Sequence, residues 1–169
     1  TAERTAQLVM MAAITFAVLG GFAWGWIVDR IGPKRTLDIV LVLWVITFAL
    51  ASALGLFGLP LETLWVVGSL AGIALGGIWS ADRPLMLRLT PPDRVGEFYG
   101  LYGMVGRFSA ITGPALWALI TGLTIRGMGL APAQGQGVAV LALLGMVLVA
   151  AFILRKVDDA PRAWGARST

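Results

Sequence analysis

The sequence predicts an all-α membrane protein of five transmembrane helices, and three observations predict it. The 169 residues are 58% hydrophobic and only 13% charged, about half the charged share of a soluble domain. The apolar residues gather into five runs, each near the ~20 residues a helix needs to cross ~30 Å of hydrocarbon. The basic residues collect in the gaps between runs, where a membrane protein carries them. A soluble chain of this length needs far more polar surface. Helix follows because lipid offers the backbone no partner and a helix satisfies itself. The ~10-residue alternating segments of a barrel are absent.

The first run, Leu8–Val28, holds 21 residues and no charge. It ends in a tight basic hinge, Gly25-Trp26-Ile27-Val28-Asp29-Arg30-Ile31-Gly32-Pro33-Lys34-Arg35. Gly32-Pro33 lets the chain reverse, and Asp29 is placed to accept backbone N–H groups at a helix end. The second run is Leu37–Leu61, uncharged over its last 23 residues from Ile39. The third is Thr63–Ala81 and the fourth Phe98–Ile125. The fifth, Val138–Leu154, reaches full span with the weakly polar residues 133–137. This places a bundle over residues 1–157 and a cytoplasmic tail over 158–169.

Ten of the thirteen basic residues lie in alternate gaps: Arg30, Lys34 and Arg35, then Arg83, Arg88 and Arg94, then Arg155, Lys156, Arg162 and Arg167. Arg4 and Arg126 stand on the other side, and Arg107 lies within a run. The excess puts those gaps and the C-terminus in the cytoplasm and the first residue outside. Trp24, Trp26, Trp79 and Tyr99 fall near the inner interface, and Trp65 and Trp117 near the outer one, as interfacial anchors do. A net charge of +4 on such a chain is topological, so the expected partner is a lipid bilayer and not nucleic acid.

Small residues add a second layer. Gly68, Gly72 and Gly76 recur every four positions, and Gly103, Gly106, Ala110 and Gly113 step by three and four. Such spacing lets backbones approach, so both helices are expected to face other helices. Gly100-x-x-Gly103-x-x-Gly106 is no phosphate loop, having no strand before it. Gly113-Pro114 is expected to kink or break the fourth helix.

Cysteine and histidine are absent. No metal or cofactor is expected, and an intramembrane enzyme would lack acid–base groups, with no paired carboxylate at mid-membrane. Arg107 is the strongest isolated signal. It follows Glu97 by ten residues, about 15 Å along a helix axis and near mid-membrane. A charge there costs about 2.5–3.5 kcal/mol on insertion scales, and arginine does not shed its proton. Its partner lies on a segment outside this sequence, or it faces an aqueous cavity, or it snorkels to the interface. The charges at the inner ends form a second group: Asp29, Arg30, Lys34 and Arg35 are expected to meet Asp82, Arg83, Arg88, Arg94 and Glu97 on one face. Pairs among them would bias which of two bundle arrangements is populated.

Gly25-x-x-x-Asp29-Arg30-x-Gly32-x-Lys34-Arg35 resembles the signature loop of major facilitator superfamily transporters. Gly76-Gly77, Arg83, Arg88 and Pro91 follow, then Glu97-Phe98-Tyr99-Gly100-x-Tyr102, Gly106-Arg107-Phe108-Ser109 and Gly113-Pro114. That stretch is similar to the vacuole-effluxer-like branch, which includes autophagy-related vacuolar amino-acid exporters and bacterial permeases. Trp79 stands where that branch carries a polar residue, Asp82-Arg83-Pro84 replaces a Ser-Arg-Ser type sequence, and Arg107 replaces a lysine. The resemblance implies helices 8 to 12 of a twelve-helix fold, part of its C-terminal half. It implies secondary transport of a small polar solute such as an amino acid, in a bacterial inner membrane, with the N-terminal half as partner. Gly25, Asp29, Arg30, Gly32, Lys34 and Arg35 would gate, with Asp82, Arg83, Arg88 and Glu97 at the inner gate. Arg107, Trp79 and Tyr102 would face the solute or its cavity. A five-helix membrane binding or assembly protein without flux is the alternative.

Overall fold

The computed structural model describes residues 2–160. Five helices follow one another: α1 (Ala2–Ile31), α2 (Pro33–Phe57), α3 (Thr63–Leu89), α4 (Val95–Gly122) and α5 (Pro132–Arg155). A 3-10 turn, Pro92–Arg94, leads into α4, and a π turn, Leu123–Gly127, follows it. All five helices are long and apolar enough to cross a membrane, and no strand occurs among the described residues.

At their basic ends the helices overrun the apolar runs, because hydropathy stops at the first charge while backbone hydrogen bonding does not. α2 begins at Pro33, four residues ahead of Leu37, with proline suited to a first helical turn. It stops at Phe57, where Gly58 turns left-handed at φ 64° and donates to the Leu54 carbonyl at 3.1 Å. α3 runs eight residues past Ala81, through Pro84, and Thr90 and Pro91 end it. α4 likewise continues through Pro114, so Gly113-Pro114 does not break it. In each case the proline lacks the N–H for the carbonyl four residues back, Ser80 or Ala110.

Two seams hold the bundle, and both are built on missing side chains. Along α1 and α3, Gly68 faces Val9, Gly72 faces Ala13 and Gly76 faces Ala17, so these two helices run parallel. A Cβ on Gly76 would sit 2.5 Å from the Ala17 carbonyl oxygen, hence glycine. The Trp24 indole donates across this seam to the Ile73 carbonyl at 2.9 Å. Trp24 is 8% exposed. It is packing, not the interfacial anchor that its place in the run suggested. Between α2 and α5, Gly55 meets Ala133 and Gly137 in antiparallel fashion, and the buried Ser52 hydroxyl donates to the Gly137 carbonyl at 2.9 Å. α3 also packs on α2, where Gly77 accommodates Val40. The outward faces carry exposed Met10, Phe22, Phe57, Ile111 and Phe152. In lipid this costs nothing, since helices associate there through packing and hydrogen bonds rather than hydrophobic burial.

α4 differs from the rest. It rests on α5 and on the π turn, and none of its residues is buried. Nothing lies within 4 Å of a Cβ placed on Gly100, Gly103, Gly106 or Gly113. The small-residue spacing thus marks helix contact correctly on α3, whereas on α4 it faces no described helix.

Candidate functional site

The hinge between α1 and α2 depends on one backbone conformation. Gly32 has φ 87°, a region that favours glycine. Its N–H closes α1 on the Val28 carbonyl at 2.9 Å, and its carbonyl accepts from the Thr36 amide and hydroxyl. Asp29 does not cap α2 as expected: it sits within the last turn of α1, exposed, and α2 starts at Gly32 with no side-chain cap. The Arg30 guanidinium stacks on Trp26, one turn back, 3.6 Å from the ring centroid. Lys34 is half-buried, Arg35 is exposed and Gly25 borders open space. A Cβ on Gly32 would stand 3.3 Å from Arg88 Nη1, so the hinge and the end of α3 are neighbours.

The charges nevertheless pair differently from the sequence expectation. Arg94 binds Glu97 next door, with Nη2–Oε2 at 2.8 Å, and Arg88 approaches Asp159 at 3.9 Å. These groups are largely exposed, and such pairs contribute about 0–1 kcal/mol each. No ion pair joins Asp29, Arg30, Lys34 or Arg35 to α3 or α4 among the described residues. The connection that does cross is uncharged on one side: the Tyr102 hydroxyl of α4 donates to Asp82 Oδ2 of α3. Asp82 Oδ1 accepts the Arg83 amide at 2.6 Å. Arg162 and Arg167 lie outside the described residues.

Arg107 is the thirteenth of 28 residues in α4, exposed, and without an ion-pair or hydrogen-bond partner among the described residues. Trp79 is 63% exposed on α3. It borders two adjoining clefts of about 330 and 190 Å³ along the α1–α3 seam, which share Ala17 and Val18. Ser80 lines the larger; the smaller is apolar and reaches Trp44. The structure therefore joins Asp82 to Tyr102 and places Trp79 at a cleft, while Arg107 stands apart on the open helix.

Residues 1–168 match the family model described as Major Facilitator Superfamily. The chain belongs to that superfamily. Among relatives of this facilitator chain, autophagy-related protein 22 of Coccidioides immitis is 31% identical over 126 residues, 68% of the chain and 21% of the relative. The protein of that name in Pyricularia oryzae is 31% identical over 132 residues, 69% and 19%. The uncharacterised MFS-type transporter YxiO of Bacillus subtilis is 26% identical over 148 residues, 86% and 33%. The fungal and bacterial relatives are those the resemblance implied. The chain thus spans about a fifth to a third of the curated relatives it matches. No solved structure matches it.

Sequence reasoning missed Ser52 and Trp44. Ser52 lies in a run of alanines and leucines that reads as lipid-facing, and only its partner glycine, 85 residues on, gives it meaning. Trp44 carries a buried Nε1 with no acceptor among the described residues. Its place in the middle of α2, one turn before Phe48 with the rings tilted at 42° and 4.9 Å between centroids, was readable as an aromatic pair but not as an unpaired donor.

Proposed function

We propose that this chain forms one wall of a secondary transporter that moves a small polar solute, of the amino-acid class, by alternating access. Membership of the superfamily supports transport, and the relatives' names point to the exporter branch. The chain then corresponds to helices 8 to 12 of twelve, in a bacterial inner membrane, with its basic ends and C-terminus in the cytoplasm. An N-terminal half completes the solute path. The reading is of a transporter rather than an enzyme.

The observation that carries this reading is Arg107. An ionisable group in the middle of an apolar helix is a functional site by default, because the membrane otherwise selects against it. On an open helix it is free to meet a solute carboxylate or an acidic group of the other half, in the bidentate manner arginine favours. The hinge residues Gly25, Asp29, Arg30, Gly32, Lys34 and Arg35, with Asp82, Arg83, Arg88 and Glu97, belong to the inner gate. Trp79 borders the solute path. Transport occurs as the two halves rock about the midplane site.

The test uses the full natural length of the protein in proteoliposomes, with counterflow of labelled amino acids. Loss of a charged hydrogen bond costs about 1.5–3 kcal/mol, so Arg107→Ala lowers flux roughly ten- to hundredfold, and Arg107→Lys restores part of it. Flux unchanged by Arg107→Ala removes the role of that residue. No counterflow of any amino acid removes the substrate class.

A further inference from the structure

α2 and α5 pack antiparallel, and their register brings four cations to one level. The Ser52 hydroxyl of α2 donates to the Gly137 carbonyl of α5. Eighteen residues lead from Ser52 back to Lys34, and eighteen lead from Gly137 on to Arg155, about 27 Å in each case. Lys34 and Arg35 at the start of α2 therefore stand beside Arg155 and Lys156 at the end of α5. A second contact fixes this end. Arg88 neighbours Gly32 and approaches Asp159, so the chain leaving α5 passes next to the residue where α2 begins. Both contacts are made within the described bundle, so the convergence is independent of any segment beyond it.

Charge compensation at this end is incomplete. A helix start carries a partial positive charge that disfavours lysine and arginine, and the first turn of α2 holds no acidic residue. The opposite partial charge at the end of α5 cancels that of α2 and does no more. Four cations then stand against Asp38 and Asp158, since Asp159 serves Arg88. None of the four joins an ion pair among the described residues. Orientation in the membrane needs positive charge on this side, but not its convergence on one pair of helices. Apolar surface adjoins the cations: Ile39 and Val42 of α2 and Val149 and Phe152 of α5 are exposed. The Lys156 ammonium lies 4.6 Å from the Phe152 ring centroid.

We propose that this end of the α2–α5 pair binds an anionic glycerophospholipid. Lys34 and Arg35 hold its phosphate from one helix, Arg155 and Lys156 from the other, and its acyl chains lie along the apolar faces. Packed helix axes stand about 8–10 Å apart, so long basic side chains from both can reach one headgroup. Arginine supplies paired donors to phosphate oxygens and lysine a point charge. A soluble anion matches the charge but leaves the apolar faces without a partner, whereas basic pockets between membrane helices suit lipid headgroups. The site is separate from any solute path and does not rest on the transport reading.

Full-length protein in neutral detergent is titrated with phosphatidylglycerol, and retained lipid is counted by native mass spectrometry. One retained phosphatidylglycerol is expected, and no phosphatidylcholine at the same concentration. Each cation beside an anionic lipid is worth about fivefold in affinity. Arg155→Gln with Lys156→Gln therefore weakens retention roughly thirtyfold, and Lys34→Gln with Arg35→Gln does the same. Arg155→Lys with Lys156→Arg keeps the charge and keeps the lipid. The charge-matched control, Arg83→Gln with Arg94→Gln, retains it too. Equal retention of phosphatidylcholine overturns the proposal, as does undiminished retention in Arg155→Gln with Lys156→Gln. Two lipids, each lost to a different pair of substitutions, would mean two separate contacts and also overturn it. Displacement of the lipid by inorganic phosphate would make the occupant a soluble anion, with the same consequence. Amino-acid counterflow is measured apart from lipid retention, so failure of one reading is distinguishable from failure of the other.

Discussion

Replacing Gly72 by alanine tests the α1–α3 seam with a single carbon. A Cβ there would overlap the Ala13 carbonyl oxygen and lie 2.9 and 3.0 Å from its carbonyl carbon and Cα. All three neighbours are backbone, so no rotamer relieves the clash and the helices must separate. Overpacking of this kind costs about 1–3 kcal/mol, while alanine recovers up to about 1 kcal/mol of helix propensity. The matched control is Gly100→Ala on α4, which gains the same propensity and meets nothing within 4 Å. The purified chain in mixed micelles is unfolded with increasing SDS and followed by tryptophan fluorescence, to which Trp24, buried in this seam, contributes. Gly72→Ala should be less stable than Gly100→Ala by about 1–3 kcal/mol, a factor of at least about five in the unfolding constant. Equal stabilities would refute the claim that backbone proximity at glycine holds these helices together.

Two further outcomes follow from the same geometry. Ser52→Ala removes the buried hydroxyl donor to Gly137; the same titration should show a loss of about 0.5–1.5 kcal/mol, and no loss would mean the bond is worth nothing in lipid. Gly32→Ala forces a side chain into φ 87°. It should destabilise by about 1–2 kcal/mol, although Arg88, as a flexible neighbour, can move aside; a neutral effect in thermal melts would show that the hinge has another conformation.

The sequence revealed the spans through charge-free length, and the seam of α3 through glycines four apart, because both signals lie within one helix. Tyr102 and Asp82 were each visible as candidates, the first near a cavity and the second among gate charges. Their bond was not, since it depends on where two separate helices cross. The basic hinge was legible as a turn, yet Asp29 proved to end α1 rather than cap α2. Three residues separate Asp29 from the N-cap position at Gly32, less than one helical turn, and hydropathy does not resolve that difference. Trp24 misled for a related reason. Its position near the end of an apolar run suits an interfacial anchor, and only the approach of Ile73 makes it a core donor. Gly103 and Gly106, three apart, share a helix face as Gly72 and Gly76, four apart, do, but spacing says that a face can be approached, not by what.

The bareness of α4 has a use in mapping. In a saturation scan of this chain alone, bulky substitutions at Gly100, Gly103, Gly106 and Ala110 should be borne without loss of folded yield. The identical scan in the full-length polypeptide should turn some of those positions intolerant. Subtracting one tolerance profile from the other would trace, residue by residue, the footprint of whatever leans on this helix.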